Sequence, residues 1–517
     1  MLFTEVTFAF FLPIIFILYW AVPKKQRWIV LLAADIFFYM YGGPLFILLL
    51  IGIALVTWGS GRCIETGRSR DSTGVESAQS ANSGETEYRG RTVSANSSHI
   101  FYLIAPVVIV VGLLALFKYA DFAIGTVAGI CRAFSIGFTP SALKLAMPLG
   151  ISFYSFAAIG YVADVYRGKI SAERNFFRYF TFVAFFPTVL SGPINRAEDI
   201  MPQINDPADF DADAASEGLR QMLWGFFKKL IIADMLTRYV DPVFDNCEYF
   251  IGLTLIMATV LYTFQIYCDF SGYSDIAIGT AKLLGIQVKD NFRSPYFSRS
   301  VKEFWSRWHI SLSGWFRDYV YIPLGGSRVG EARHDLNLML TMLLSGLWHG
   351  ADWSFVIWGG LHGIYQVTED FCHKHLSKKE NRDKKERDIK RSAPWNIGHG
   401  ILTFALVSFA WSFFRANNTS DAVYIALHMP RGLRHIADSY IMMLNNMGLD
   451  ALKLTGIAVL IVILMAVDFI GLKHNVFALY GKLPLAVRWT VYIGLTVYII
   501  IVTLNGGQHQ EFIYFRF

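Results

Sequence analysis

The sequence predicts an all-α protein that crosses a membrane many times. Three observations carry this. Charged residues make up only 17% of the 517-residue chain, where soluble proteins carry about 25%, so a water-facing globule could not be covered. Hydrophobic residues reach 54% and aromatics 16%, which also excludes disorder for most of the chain. Apolar stretches near the ~20 residues that span a bilayer recur from end to end.

In order, these stretches are 5–22, 28–41, 44–61, 100–117, 144–163, 176–191, 219–237, 251–267, 336–348, 353–371, 397–414, 455–472 and 486–504. Segments 28–41 and 44–61 read as a tight hairpin around Gly42-Gly43-Pro44. Several stretches are short, so some are expected to be re-entrant, which is allowed only where protein or water satisfies the backbone. The first stretch has Glu5 before it and Lys24, Lys25 and Arg27 behind it. A cleaved signal peptide has the opposite charge order, so an uncleaved helix running from outside to the cytoplasm is expected.

Two polar segments interrupt the pattern. Residues 65–98, rich in Ser, Gly, Asn and charge, cannot bury a core and read as a flexible cytoplasmic loop. Residues 374–391 form a predominantly basic run, and the positive-inside rule puts them in the cytoplasm as well. Segment 397–414 then leaves the cytoplasm, 455–472 returns, and 486–504 leaves again. Both termini are therefore expected outside, with 505–517 as an aromatic tail on the outer face. The net charge of +6 sits in a few loops. It bears on orientation and on anionic lipid headgroups, not on nucleic acid. The five cysteines are scattered with no Cys-x-x-Cys pair, so neither a disulfide framework nor a zinc site is expected.

Polarity enters the apolar pattern in the middle of the chain. Segment 304–326 sets Arg307, His309, Arg317 and Asp318 among Trp305, Trp308 and Trp315. Segment 343–363 places Trp348-His349 between Gly346 and Gly350 at the end of an apolar run. Ionisable groups at membrane depth are costly, and a cluster of them is a functional-site hypothesis. An apolar wall favours a neutral imidazole, which is a competent general base. Acyl transfer to a hydroxyl needs such a base, and it needs donors for the oxyanion, for which His309 or nearby Arg and Trp N–H groups qualify. The alternative is a hydrogen-bonded structural histidine at a helix end. His309 and His349 lack metal-ligand spacing, so no metal is expected. His362 reads as packing or hydrogen bonding. Asp269 and Asp275, six residues apart in 264–279, do not share one helical face, and Ser271-Gly272 between them suits a bend. They are read either as substrate-orienting groups or as buried ion pairs with Arg307 or Arg317.

The segments MPLGISFYSFAAIGYVADVYRG, FFPTVLSGPINRAEDIMPQ and MLWGFFKKLIIAD, then WHISLSGWFRDYVYIPLGG followed by SGLWHGA, stand in unbroken order over roughly 145–370, and FIYFRF closes the chain. In these the chain resembles the membrane-bound O-acyltransferases (MBOAT), in particular their alginate O-acetylase and peptidoglycan O-acetyltransferase branch. The resemblance implies a ring of about 11–13 tilted transmembrane and re-entrant helices around a central tunnel. It implies His349 as the catalytic histidine and His309 as a second functional one, with Trp305, Arg307, Trp308, Arg317, Asp318, Asp269, Asp275 and Trp348 as surrounding candidates. It implies acetyl-CoA or another acyl thioester as donor, with no bound cofactor. FIYFRF looks like a fused form of the aromatic motif that a separate peptide carries in teichoic-acid D-alanylation relatives, with Tyr514 as acyl acceptor. The implied partner is an extracytoplasmic SGNH-type transferase or esterase that serves a polysaccharide, in the cytoplasmic membrane of a bacterium. D-alanyl transfer to teichoic acid and a non-enzymatic transporter or flippase are the competing readings. The 65–98 segment departs from the family's usual shorter basic loop.

Overall fold

A computed structural model describes residues 1–79, 97–138, 140–380, 393–504 and 512–513. All regular structure among these is helical. Among the described residues, five helices are long and apolar enough to cross a membrane: Phe46–Arg68 within a longer helix, Ile100–Ala133, Leu253–Leu283, Pro394–Arg415 and Ala451–Gly471. In Ala451–Gly471 only 17% of the apolar window is buried by protein, which leaves most of that helix for lipid to cover. Val6–Ala21 and Leu485–Ile501 are shorter apolar helices.

The chain divides into two compact units, residues 1–211 with 281–288, and residues 212–280 with 289–517. In the first unit Arg27–Gly42 and Phe46–Gln79 flank the expected hairpin. Residues 65–79, expected as loop, continue that second helix. Its transmembrane part is already nucleated, and extending a helix by one residue adds one hydrogen bond without a new nucleus. Residues 80–96 lie outside the described residues. The stretch expected at 144–163 starts its helix at Ile151, behind Gly150 with φ +75°. That conformation costs glycine little, and a Cβ there would collide with the Val189 carbonyl. The stretch expected at 176–191 is helical only over Phe176–Val183. The turn after it is pinned by the buried Asp35, whose Oδ1 accepts from Phe186 N at 2.8 Å.

The second unit holds two close helix pairs. Ala212–Phe226 meets Leu253–Leu283 through glycine. A Cβ on Gly225 would lie 2.6 Å from the Gly272 carbonyl oxygen, and one on Gly272 would lie 2.8 Å from that of Gly225. Leu253–Leu283 runs as one helix through Ser271-Gly272; that glycine admits a neighbour and does not break the helix. The second pair, Glu331–His349 and Trp353–Glu380, meets at Gly346 and Gly359, where a Cβ on Gly346 would lie 3.2 Å from Gly359 Cα. Small residues at such seams let backbones approach where lipid supplies no hydrophobic drive. Residues 374–380 belong to the second of these helices, and 381–392 lie outside the described residues. Between the pairs, two short helices, Val301–Arg307 and Ile310–Phe316, carry the polar motif. Helices Thr419–His428 and Ile436–Met447 lie within the segment expected on the outer side.

Candidate active site

His349 is the last residue of the helix Glu331–His349 and is 3% exposed. Its ring is boxed by Trp348, Trp358 and Phe414 at centroid distances of 4.9, 5.1 and 5.2 Å. The next residue, Gly350, has no room for a Cβ, which would collide with the Phe355 ring. The flanking glycines thus let the hairpin close around His349. The His309 ring lies 6.3 Å from that of His349, and Trp348 stands beside both, 6.0 Å from His309.

His309 is fully buried and has left-handed backbone, φ 45° and ψ 52°. For a residue with a Cβ this conformation costs roughly 1–2 kcal/mol, so neighbouring contacts must hold it. Asn291 supplies them. Ile310 N donates to the Asn291 carbonyl at 2.9 Å. The Asn291 Oδ1 accepts from Ser311 N at 3.2 Å and from Ser311 Oγ at 2.9 Å, and it lies 3.1 Å from His309 Nδ1. A backbone N–H can only donate, so the amide atom facing Ser311 is the oxygen. His309 Nδ1 must then carry the proton, and a neutral His309 presents its lone pair at Nε2. Asn291 was not singled out by sequence reasoning. It lies in an Asn-Phe-Arg-Ser-Pro-Tyr stretch upstream of the WHISLSG motif, and spacing could not couple it to a histidine 18 positions later.

Asp269 and Asp275 do not meet Arg307 or Arg317. Arg307 pairs with Glu303 at 2.8 Å one turn back on its own helix. Arg317 pairs with its neighbour Asp318 at 2.8 Å, and its side chain is 65% exposed. The acids instead meet two buried lysines, Lys228 and Lys229, in the π-helical turn Phe227–Ala233. The wider i→i+5 turn, a frequent mark of functional sites, lets consecutive lysines reach the same facing helix. Lys228 Nζ binds Asp275 Oδ2 at 2.6 Å and Ser271 Oγ at 2.8 Å. Lys229 Nζ bridges Asp269 Oδ1 at 2.7 Å and Asp234 Oδ1 at 2.9 Å. Buried charges persist only when paired in this way. Sequence reasoning quoted both lysines within MLWGFFKKLIIAD, in the middle of the stretch 219–237, but gave them no role.

The C-terminal tail reaches this cluster. Asp269 Oδ2 accepts from Ile513 N at 2.9 Å. The Phe512 ring lies under Lys229 Nζ at 4.6 Å and edge-on to Tyr273 at 4.8 Å. Phe270, adjacent to Asp269, packs against His309 at 4.7 Å. Tyr514 itself lies outside the described residues. Trp305 Nε1 donates to His362 Nδ1 at 3.2 Å, and Trp308 is buried against Phe304 and Trp411. A cavity of about 250 Å³ is lined by Lys302, Trp305, Arg317, Ser345, Gln366 and Asp370, among others. Ser345 stands one helical turn before His349. Among the described residues no cluster of three His, Cys, Asp or Glu side chains could hold a metal, and the five cysteines are unpaired.

The two histidine rings thus lie 6.3 Å apart in a buried aromatic setting, and Phe512 and Ile513 of the tail pack on the helix that carries Asp269 and Phe270. Residues 167–393 match the model of MBOAT, the membrane-bound O-acyltransferase family. A probable alginate O-acetylase AlgI of Pseudomonas putida is 34% identical over the whole of both chains. The peptidoglycan O-acetyltransferase of Helicobacter pylori is 33% identical over 64% of each chain. The teichoic acid D-alanyltransferase of Streptococcus thermophilus is 31% identical over 52% of this chain and 68% of its own. The chain belongs to the membrane-bound O-acyltransferase family. It is a multi-pass membrane enzyme that transfers an acyl group from a donor to a hydroxyl.

Proposed function

We propose that this enzyme moves an acetyl group from cytoplasmic acetyl-CoA through Tyr514 to the outer face of a bacterial cytoplasmic membrane, for O-acetylation of a secreted or cell-surface polysaccharide. The observation that carries this reading is the His349–His309 pair beside a docked C-terminal tail. His349 acts as general base. It takes the Tyr514 hydroxyl proton as the phenolic oxygen attacks the thioester carbonyl, and the collapsing tetrahedral intermediate expels the thiolate, which takes that proton. His309, with Nδ1 committed to Asn291, accepts at Nε2. It can therefore hold only a donor group other than the Tyr514 hydroxyl, whose one proton goes to His349, and a neutral His309 in this tautomer is not the oxyanion donor. The cavity ending one turn before His349 suits the donor's approach, and Lys302 and Arg317 on its lining suit a phosphate-bearing donor.

With both termini outside, acetyl-Tyr514 then passes its group to a serine of an SGNH-type partner, which acetylates the polymer. Whole-chain similarity to an alginate O-acetylase favours acetyl transfer over D-alanyl transfer, for which the matched relative covers half of this chain. The test is acetyl transfer by the purified protein in lipid nanodiscs. His349→Ala should lower the rate about 10²–10⁴-fold. A folded His349→Ala protein with full transfer refutes the assignment.

A further inference from the structure

We infer that the Asp234–Lys229–Asp269 cluster is a docking clamp for the C-terminal tail, with Asp269 as the positioning residue that anchors the tail's backbone and Phe512 as the side chain that sets its register. Ion pairing alone would need only one carboxylate opposite one ammonium. Here Lys229 Nζ bridges two carboxylates, at 2.7 and 2.9 Å. Asp234 thus holds the lysine, and Asp269 has one oxygen on Lys229 and its other oxygen on the Ile513 backbone N–H at 2.9 Å. A carboxylate accepting a backbone N–H is a charge-assisted bond, stronger than a neutral one. The tail's neighbouring side chain engages the same cluster: the Phe512 ring takes the Lys229 ammonium at 4.6 Å and the Tyr273 edge at 4.8 Å. Both Phe512 and Ile513 are buried.

The bond to the Ile513 N–H anchors the tail at the cluster, and the Phe512 ring on Lys229 and Tyr273 selects which residue is held there. It also sits one residue from Phe270, whose ring touches His309. Tyr514 follows the clamped residue directly, and consecutive Cα atoms are about 3.8 Å apart. A slip of one residue would therefore put Ile513 or Phe515 at the point of Tyr514, and neither carries a hydroxyl. The docking itself is independent of the tyrosine relay; its catalytic consequence rests on the relay proposed above.

The test is hydrogen exchange by mass spectrometry on the full-length protein in nanodiscs, following the peptide that spans 505–517. Ile513→Pro removes the donated N–H from the tail and leaves the Asp234–Lys229–Asp269 cluster intact. The remaining amides of that peptide should exchange about 10- to 100-fold faster, the effect of losing a bond to a charged group, with protection elsewhere unchanged. Ile513→Val keeps the N–H and should retain wild-type exchange. Asp269→Asn attacks the same bond from the other side, keeps the shape, and should give a smaller increase confined to the tail. Unchanged tail exchange in both Ile513→Pro and Asp269→Asn overturns the clamp. Labelling of the same samples with radiolabelled acetyl-CoA separates the two readings. A protected tail in wild type that Ile513→Pro releases, with no label on Tyr514 in wild type, keeps the clamp and removes the relay.

Discussion

Replacing Asn291 by alanine should disable His309 without touching it. The Oδ1 that the substitution deletes is the acceptor for His309 Nδ1 in a buried setting and for Ser311 N and Ser311 Oγ in a half-buried one. The serine hydroxyl can rotate to another partner. The buried imidazole Nδ1–H cannot, and a buried donor left unmade costs about 1–3 kcal/mol. That cost is set against a left-handed His309 backbone that already stores roughly 1–2 kcal/mol. Part of that strain is released when the backbone relaxes, so the lower half of the range is expected in the melt, and His309 should leave its position. The assay pairs thermal unfolding in detergent with the rate of acyl transfer. Asn291→Ala should melt several degrees lower and lose at least about 10² in rate if the imidazole tautomer matters as other catalytic histidines do. Asn291→Asp keeps an oxygen at the same place and should recover more stability than Asn291→Ala. A double-mutant cycle with His309→Ala should be strongly non-additive, because the two side chains share one hydrogen bond. Additive losses, or a wild-type melt and rate for Asn291→Ala, refute the assignment of Asn291 as the residue that fixes His309.

Lys229→Met leaves Asp269 and Asp234 buried without their cation, which should cost about 3–5 kcal/mol in a thermal or denaturant melt. Gly346→Ala forces the hairpin seam apart at Gly359 and should cost about 1–3 kcal/mol, with a loss of acyl transfer because His349 lies less than one turn away. Trp305→Phe removes one donor to His362 and should cost about 1 kcal/mol in the same melt. Arg317→Ala breaks a largely exposed pair with Asp318 and should change stability by no more than about 1 kcal/mol.

The membrane character was legible because composition and run length are one-dimensional properties. His309 and His349 were singled out because each sits in a dense local motif, and the structure brings their rings to 6.3 Å. What sequence reasoning lacked was pairing across helices. It read Asp269 and Asp275 either as substrate-orienting groups or as partners of Arg307 or Arg317, while the structure gives them Lys229 and Lys228, 40 and 47 positions earlier. Those pairings follow from the Gly225–Gly272 seam and the π turn, neither of which apolar periodicity reveals. Helix limits erred in one direction at 65–79 and 374–380, where polar composition suggested loops but the helices continue. A transmembrane segment extends a helix into water because propagation is cheap once the nucleus exists. Asn291 escaped notice because an asparagine is unremarkable until a backbone N–H shows which of its amide atoms faces a histidine.

Site-mapped labelling tests the central claim most directly. Purified full-length protein is incubated with radiolabelled acetyl-CoA, and the acetyl group is located by peptide mapping in wild type, His349→Ala and Tyr514→Phe. The relay predicts label on Tyr514 in wild type and none on the tail in either variant. Label that persists in Tyr514→Phe, or a wild-type enzyme that transfers acetyl groups while its tail stays unlabelled, contradicts it.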